Sequence, residues 1–184
     1  MKFLKFIPAF AFLFLIENAC AQTKIGIIDT SKITEKSTAY TEASKLVGNE
    51  IKNYDESVTQ VGKSFSKKVE DLEKKKNVMS SKEYNRKRDE LAKEEEELQK
   101  KFYDQRVKID KKVHNINQIL DDNLKKIVNV LAKEKNITII FNKAATLYSD
   151  DSIDITDDII TKLNKELKSI DINSPQSKRS SDSK

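Results

Sequence analysis

Few residues of this 184-residue chain have the type and spacing that chemistry requires. His114 is the single histidine, set beside the apolar position Val113 in a helical pattern with no thiol to activate, so it reads as a solvated helix residue. Asp150, Asp151, Asp154, Asp157 and Asp158 crowd five carboxylates into nine residues. They lack the glycine and the twelfth-position glutamate of a calcium loop, and turn and helix-capping roles account for them. The three glycines are scattered, so no backbone cradle for a phosphate exists. No catalytic residue, metal or cofactor is expected, and the chain is not read as an enzyme. What is concentrated instead is charge. Between Lys63 and Arg88 there are ten basic and four acidic residues, and Lys67, Lys68, Lys74, Lys75, Lys76, Arg86 and Arg88 form the candidate basic tip. Asp89 to Asp104 then carries seven acidic and three basic residues. A field this uneven can steer acidic partners or anionic lipid head groups, although ion pairs along a solvated helix explain the same composition.

The elements that would position these charges follow from composition. Both prolines lie near the chain ends, at Pro8 and Pro175, and only three glycines are present. Turn-rich sandwiches, barrels and Rossmann-type folds need more of both. Charged residues make up 35% of the chain, above the ordinary level of about 25%. That leaves disorder or long charged helices, and periodicity decides. Tyr40, Ala43, Val47, Ile51, Tyr54, Val58, Val61, Phe65, Val69 and Leu72 recur at steps of three and four, one stripe of a long helix. A break follows at residues 77–81, where Ser80 and Glu83 form a capping box. A second stripe runs through Tyr84, Leu91, Leu98, Phe102, Ile109, Val113, Ile116, Leu120, Leu124, Ile127 and Leu131. The two make an antiparallel hairpin over 38–135, rich in apolar residues at its base and poor at its tip. Gly48 and Gly62, inside the first arm, are hinge candidates.

Short elements flank the hairpin. Residues 24–29 and 137–141 are β-branched strand candidates, and Leu147-Tyr148 is a third. A final helix is expected over 157–169 with Thr156 as its N-cap. The fold class is therefore mostly α with a small β body: residues 22–37 and 136–172 form an α/β oligomerisation body, with the hairpin inserted between its strands. A sheet this small has open edges and a thin core, so oligomerisation is expected, with Ile25, Ile27, Ile137, Ile139 and Phe141 as contact candidates. Residues 1–21 have an export signal's features: Lys2 and Lys5, an apolar run from Phe6 to Ile16, and Ala19-Cys20-Ala21 at the cleavage position. Acylation of Cys20 is the less favoured reading, because Glu17 stands where a lipoprotein signal wants a Leu-like residue. Cleavage removes the only cysteine. Residues 173–184 are expected to be a disordered tail. An exported chain without an aromatic and basic stacking platform is not expected to bind nucleic acid.

Lys24-Ile-Gly-Ile-Ile-Asp-Thr-Ser-Lys-Ile33, a long charged hairpin, Ile137-Thr-Ile-Ile-Phe-Asn-Lys-Ala-Ala-Thr-Leu-Tyr148 and then Asp154-Ile-Thr-Asp157 resemble the Skp/OmpH family of periplasmic chaperones. The specific parts are residues 24–33 and 137–160; the hairpin is only generically similar. The resemblance implies a homotrimer whose strands form a central β-barrel body, with three hairpins projecting as tentacles around a cavity. It implies a periplasmic holdase that keeps unfolded outer-membrane β-barrel proteins from aggregating, without ATP. Val58, Val61, Phe65, Val69, Met79, Tyr84 and Leu91 are the candidates for client contact, although packing within the hairpin is the favoured role for each. An envelope coiled-coil spacer and a peripheral binder of anionic lipids are the alternatives.

Overall fold

Two long helices dominate the computed structural model, which describes residues 23–173. The element order is β1 (Ile25–Ile28), α1 (Thr30–Lys36), α2 (Thr38–Lys75), α3 (Ser81–Glu134), β2 (Ile139–Asn142), two 3-10 turns (Lys143–Ala145 and Asp151–Ile153) and α4 (Thr156–Glu166). The expected signal at 1–21 and most of the expected tail lie outside the described residues. At about 1.5 Å per residue, the 38 residues of α2 span about 57 Å and the 54 of α3 about 81 Å.

Local chemistry explains where the arms start and stop. Ser37 caps α2, its Oγ accepting from the backbone N–H of Tyr40 at 3.4 Å. Ser80 caps α3 by accepting from Glu83 N–H at 3.3 Å. The Glu83 carboxylate is engaged by Arg86 instead, at 2.6 Å, and the hairpin turn is held by Val78 N–H to Lys75 O at 3.0 Å. Asn136 ends α3 in the left-handed region, with φ 55. Asparagine tolerates that conformation, and it lets Ile137 N–H return to Ala132 O at 2.8 Å and Asn136 N–H to Lys133 O at 3.2 Å, closing a Schellman motif.

The strands pair in parallel: Ile25 opposite Ile139, Gly26 opposite Ile140, Ile27 opposite Phe141 and Ile28 opposite Asn142. Parallel neighbours need a long crossover, and here the entire hairpin is that crossover. Gly26 permits a close approach, since a Cβ there would lie 3.1 Å from Ile137 Cδ1.

Several expectations are corrected. Leu147-Tyr148 is not a strand; both side chains project fully into solvent, and the segment that reaches β1 is Asp154, which forms an isolated parallel bridge with Ile27. Thr156 does not cap α4 but begins it, and no side chain caps that helix. The Thr156 hydroxyl instead accepts from Asp29 N–H at 2.9 Å, joining α4 to the end of β1. The final helix stops at Glu166 rather than running to Ser169. Helix α1, too short for a periodic signal, is an element the sequence pattern does not announce; Asp29 caps it by accepting from Lys32 N–H at 2.9 Å.

The core sits where α1, α4 and the base of the hairpin meet. Ile28, Ile33, Ala39, Ala43 and Val47 pack with Ile109, Ile116, Leu120, Ile127, Leu131, Ile159 and Leu163 in one cluster. The corner between α1 and α2 is pinned from outside by Asn164, whose Oδ1 accepts from Thr38 N–H and whose Nδ2 donates to Lys36 O, both at 3.0 Å. This bond pair fixes the angle at which the hairpin leaves the base.

Candidate functional site

Three surfaces hold the residues singled out in the sequence. The first is the outer face of the sheet. Side chains alternate across a strand, so Ile25, Ile27, Ile139 and Phe141 share the face opposite Ile28 and Ile140. Ile27 is buried, while Ile25, Ile139 and Phe141 stay 40%, 42% and 45% exposed. Ile137 is separated from them: it packs toward the core cluster and lies against Gly26. Leu147 and Tyr148 follow in the adjoining loop, so the base carries a run of uncovered apolar side chains that a thin two-stranded sheet cannot bury by itself.

The second surface is the hairpin beyond the core. Buried apolar side chains are continuous only up to Val47 and Ile109, with Ile51, Tyr54 and Leu124 partly buried beside them. Further out, Tyr54 and Phe102 meet edge to face at 6.1 Å and 85°. Val58, Val61, Phe65, Met79, Tyr84 and Leu91 are half-buried along the seam, and Val69 is exposed. Leu72, Met79 and Leu91 come together in a groove of about 370 Å³, rimmed by Lys68, Lys75, Lys87 and Glu94. Leu72 is the buried centre of this tip cluster; its place in the three-and-four stripe is the signal that marks it. Gly48 and Gly62 lie inside an unbroken α2, and a Cβ at either position meets nothing within 4 Å.

The third surface is the charged tip. Lys68 pairs with Glu94 across the hairpin at 2.5 Å, Lys74 with Glu70 at 2.6 Å, Arg86 with Glu83 and Glu90 at 2.6 Å each, and Arg88 with Asp89 at 3.0 Å. The Tyr84 hydroxyl donates to the Glu73 carboxylate, which raises the phenol above its ordinary pKa, and Lys76 lies 5.4 Å from the centre of the same ring. Lys67 and Lys75 make no ion pair among the described residues. Half of the ten basic residues between Lys63 and Arg88 are thus paired with nearby carboxylates, and such exposed pairs add little to stability.

The other candidates separate from these surfaces. His114 lies exposed on α3. Of the acidic cluster, Asp150 Oδ1 accepts from Ser152 N–H at 2.8 Å, Asp154 pairs with Lys143 at 3.1 Å, Asp157 with Lys32 at 2.7 Å and Asp158 with Lys135 at 2.6 Å. Four of the five carboxylates thus support a turn or a neighbouring element. Burial pushes the Asp154 carboxyl up, but hydrogen bonds from Thr156 and Lys143 outweigh it and hold the group below its ordinary pKa. Among the described residues no group of three or more His, Cys, Asp or Glu is placed to hold a metal, and no helix is long and apolar enough to cross a membrane.

A long charged hairpin inserted between two parallel strands, with an apolar face on the sheet, defines a projecting-arm fold. The sequence profile of the outer membrane protein (OmpH-like) family matches residues 24–163, and the chain belongs to that Skp/OmpH family of chaperones. An uncharacterized protein of Aquifex aeolicus (strain VF5) is 28% identical over 156 residues, covering 85% of this chain and 95% of the relative. The fold is shared with a crystal structure of a candidate outer membrane chaperone (OmpH-like) from Caulobacter crescentus CB15, at a TM-score of 0.70 and 12% identity, over 80% of this chain and 87% of that one.

Proposed function

We propose that this protein is an ATP-independent periplasmic holdase for unfolded outer-membrane β-barrel proteins. The observation that carries the reading is the hairpin itself, joined to membership of a chaperone family: arms about 57 and 81 Å long whose outer parts offer half-buried apolar side chains inside a charged frame. A holdase must grip unfolded apolar segments weakly and at many points while remaining soluble, and scattered contacts on long arms do that by multivalency. The same reading makes the active form a homotrimer, in which Ile25, Ile139 and Phe141 are covered by copies of the sheet and the hairpins enclose a cavity. Residues 1–21 serve as the export signal. Client contact falls to Val58, Val61, Phe65, Val69, Met79, Tyr84 and Leu91, with Gly48 and Gly62 as flexible points.

The deciding experiment joins mass measurement in solution with an aggregation assay on a denatured outer-membrane barrel. A particle of three chains that suppresses aggregation is the expected result. A monomer without protective effect would sink the proposal, and an envelope spacer would show an oligomer with no protection. Binding of anionic lipids through the tip is the weaker alternative, because Lys68, Lys74, Arg86 and Arg88 already hold carboxylates. It requires salt-sensitive liposome binding that is lost when Lys74, Lys75, Lys76, Arg86 and Arg88 are neutralised.

A further inference from the structure

The chain does not leave the hairpin when α4 ends. Leu167, the residue closing that helix, is extended, and residues 167–173 continue along α3. Leu167 and Ile170 are buried and Ile172 is half-buried, all packed in the cluster that holds Ile109, Ile116 and Leu120 of α3. Asn115, only 5% exposed on α3, donates from Nδ2 to the carbonyl of Asp171 at 3.5 Å. Asp171 then accepts from Asn173 N–H at 2.9 Å, closing a turn beside a groove of about 790 Å³ between the arms. Tyr54 and Ile109 line that groove together with Ile172, and Glu50 and Lys112 cross it as an ion pair at 2.6 Å.

The path has a geometric reason. Asp158 meets Lys135 at 2.6 Å and Asp171 meets Asn115, so this segment retraces about 30 Å of α3 at 1.5 Å per residue. Continued as a helix, the thirteen steps from Asp158 to Asp171 would cover only about 20 Å. Leaving the helix at Leu167, whose backbone is extended and rises toward about 3.3 Å per residue, lets the non-helical stretch before the turn at 172–173 make up the distance. The segment also lies beyond residues 24–163, the part matched by the family profile.

We propose that residues 167–173 form a strap that clamps the second arm to the base and sets how freely the hairpin moves. The cluster takes in α3 from Leu131 to Ile109, where Ala43 and Val47 of α2 belong to it too; the strap adds Leu167, Ile170 and Ile172 to that hold, with Ile172 lining the same groove as Ile109. Releasing it would move the start of the free arm toward the base without unfolding the core. This proposal does not depend on what the arms bind.

The test is amide hydrogen exchange on three forms: a chain ending at Ser169, a full-length I170S/I172S variant, and a chain ending at Asn173. In the first two, exchange over residues 105–120 should rise by about tenfold or more, while residues 25–33 and 156–163 exchange as in the parent. The chain ending at Asn173 should match the parent throughout. Unchanged exchange over 105–120 in the full-length double variant overturns the strap, as does an equal rise across the base, which would make the segment ordinary core. Loosening in the chain ending at Asn173 would place the clamp in residues 174–184 and overturns the proposal too.

Discussion

Gly48 and Gly62 occupy helix positions where a methyl group would touch nothing. Replacing either by alanine removes backbone freedom from the unfolded chain and loses no contact, so each of G48A and G62A should stabilise the arm by up to about 1 kcal/mol, read as a higher urea midpoint. If these glycines serve as flexible points, the stabilised variants will also capture unfolded clients less well; a higher midpoint with undiminished capture removes that role. Gly26 is the opposite case. Its missing Cβ makes room for Ile137, and G26V should destabilise the base by about 1–3 kcal/mol because a branched side chain must push Ile137 from its place against β1. An unchanged midpoint for G26V would show that Ile137 can move aside without loss.

At the scale of elements, the hairpin is held unevenly. Ile127 is almost fully buried against α4 and the base, whereas Leu72 is a lone buried side chain near the turn. I127A should therefore cost about 2–5 kcal/mol, while L72A, in a site open to solvent and able to collapse, should cost clearly less. Equal costs in urea unfolding would contradict a firm base and a loose tip. A second element-scale expectation concerns acid. The segment before α4 is tied to β1 through the Asp154 bridge, and Asp154 is held ionised by Thr156 and Lys143. A folded pKa below the unfolded value of about 3.9 gives stability that is complete above that value and disappears as pH falls through the folded pKa. The acid limb of the stability curve should be shallower in D154N, with the loss confined to below about pH 4; identical limbs would dismiss this contribution.

For the whole molecule, the uncovered sheet face is the feature a single chain leaves unresolved. Phe141 projects from it, 45% exposed, and makes no part of the buried core. F141D should leave the helical circular dichroism unchanged and convert the proposed trimer to monomer in a mass measurement, with loss of protection in the aggregation assay. A variant that remains oligomeric would direct the search for the contact elsewhere, with Leu147 and Tyr148 the next exposed apolar side chains.

Spacing along the chain was enough to locate both arms, because an apolar residue every three or four positions needs only a partner helix to become a seam. Capping chemistry at Ser80 and the left-handed Asn136 is equally local and marks where α3 begins and ends. Those features are decided within a few residues of themselves. The tertiary structure alone decided that β1 and β2 lie parallel, that Asp154 rather than Leu147 reaches β1, and that the Thr156 hydroxyl serves Asp29 instead of its own helix. Each of those joins residues more than a hundred positions apart, where short β-branched or polar segments carry no label for their partners. The strap belongs with them. Leu163, Leu167 and Ile170 keep helical steps of four and three, so their spacing reads as continued helix, and only packing against α3 and the bond from Asn115 account for the chain leaving the helix after Glu166.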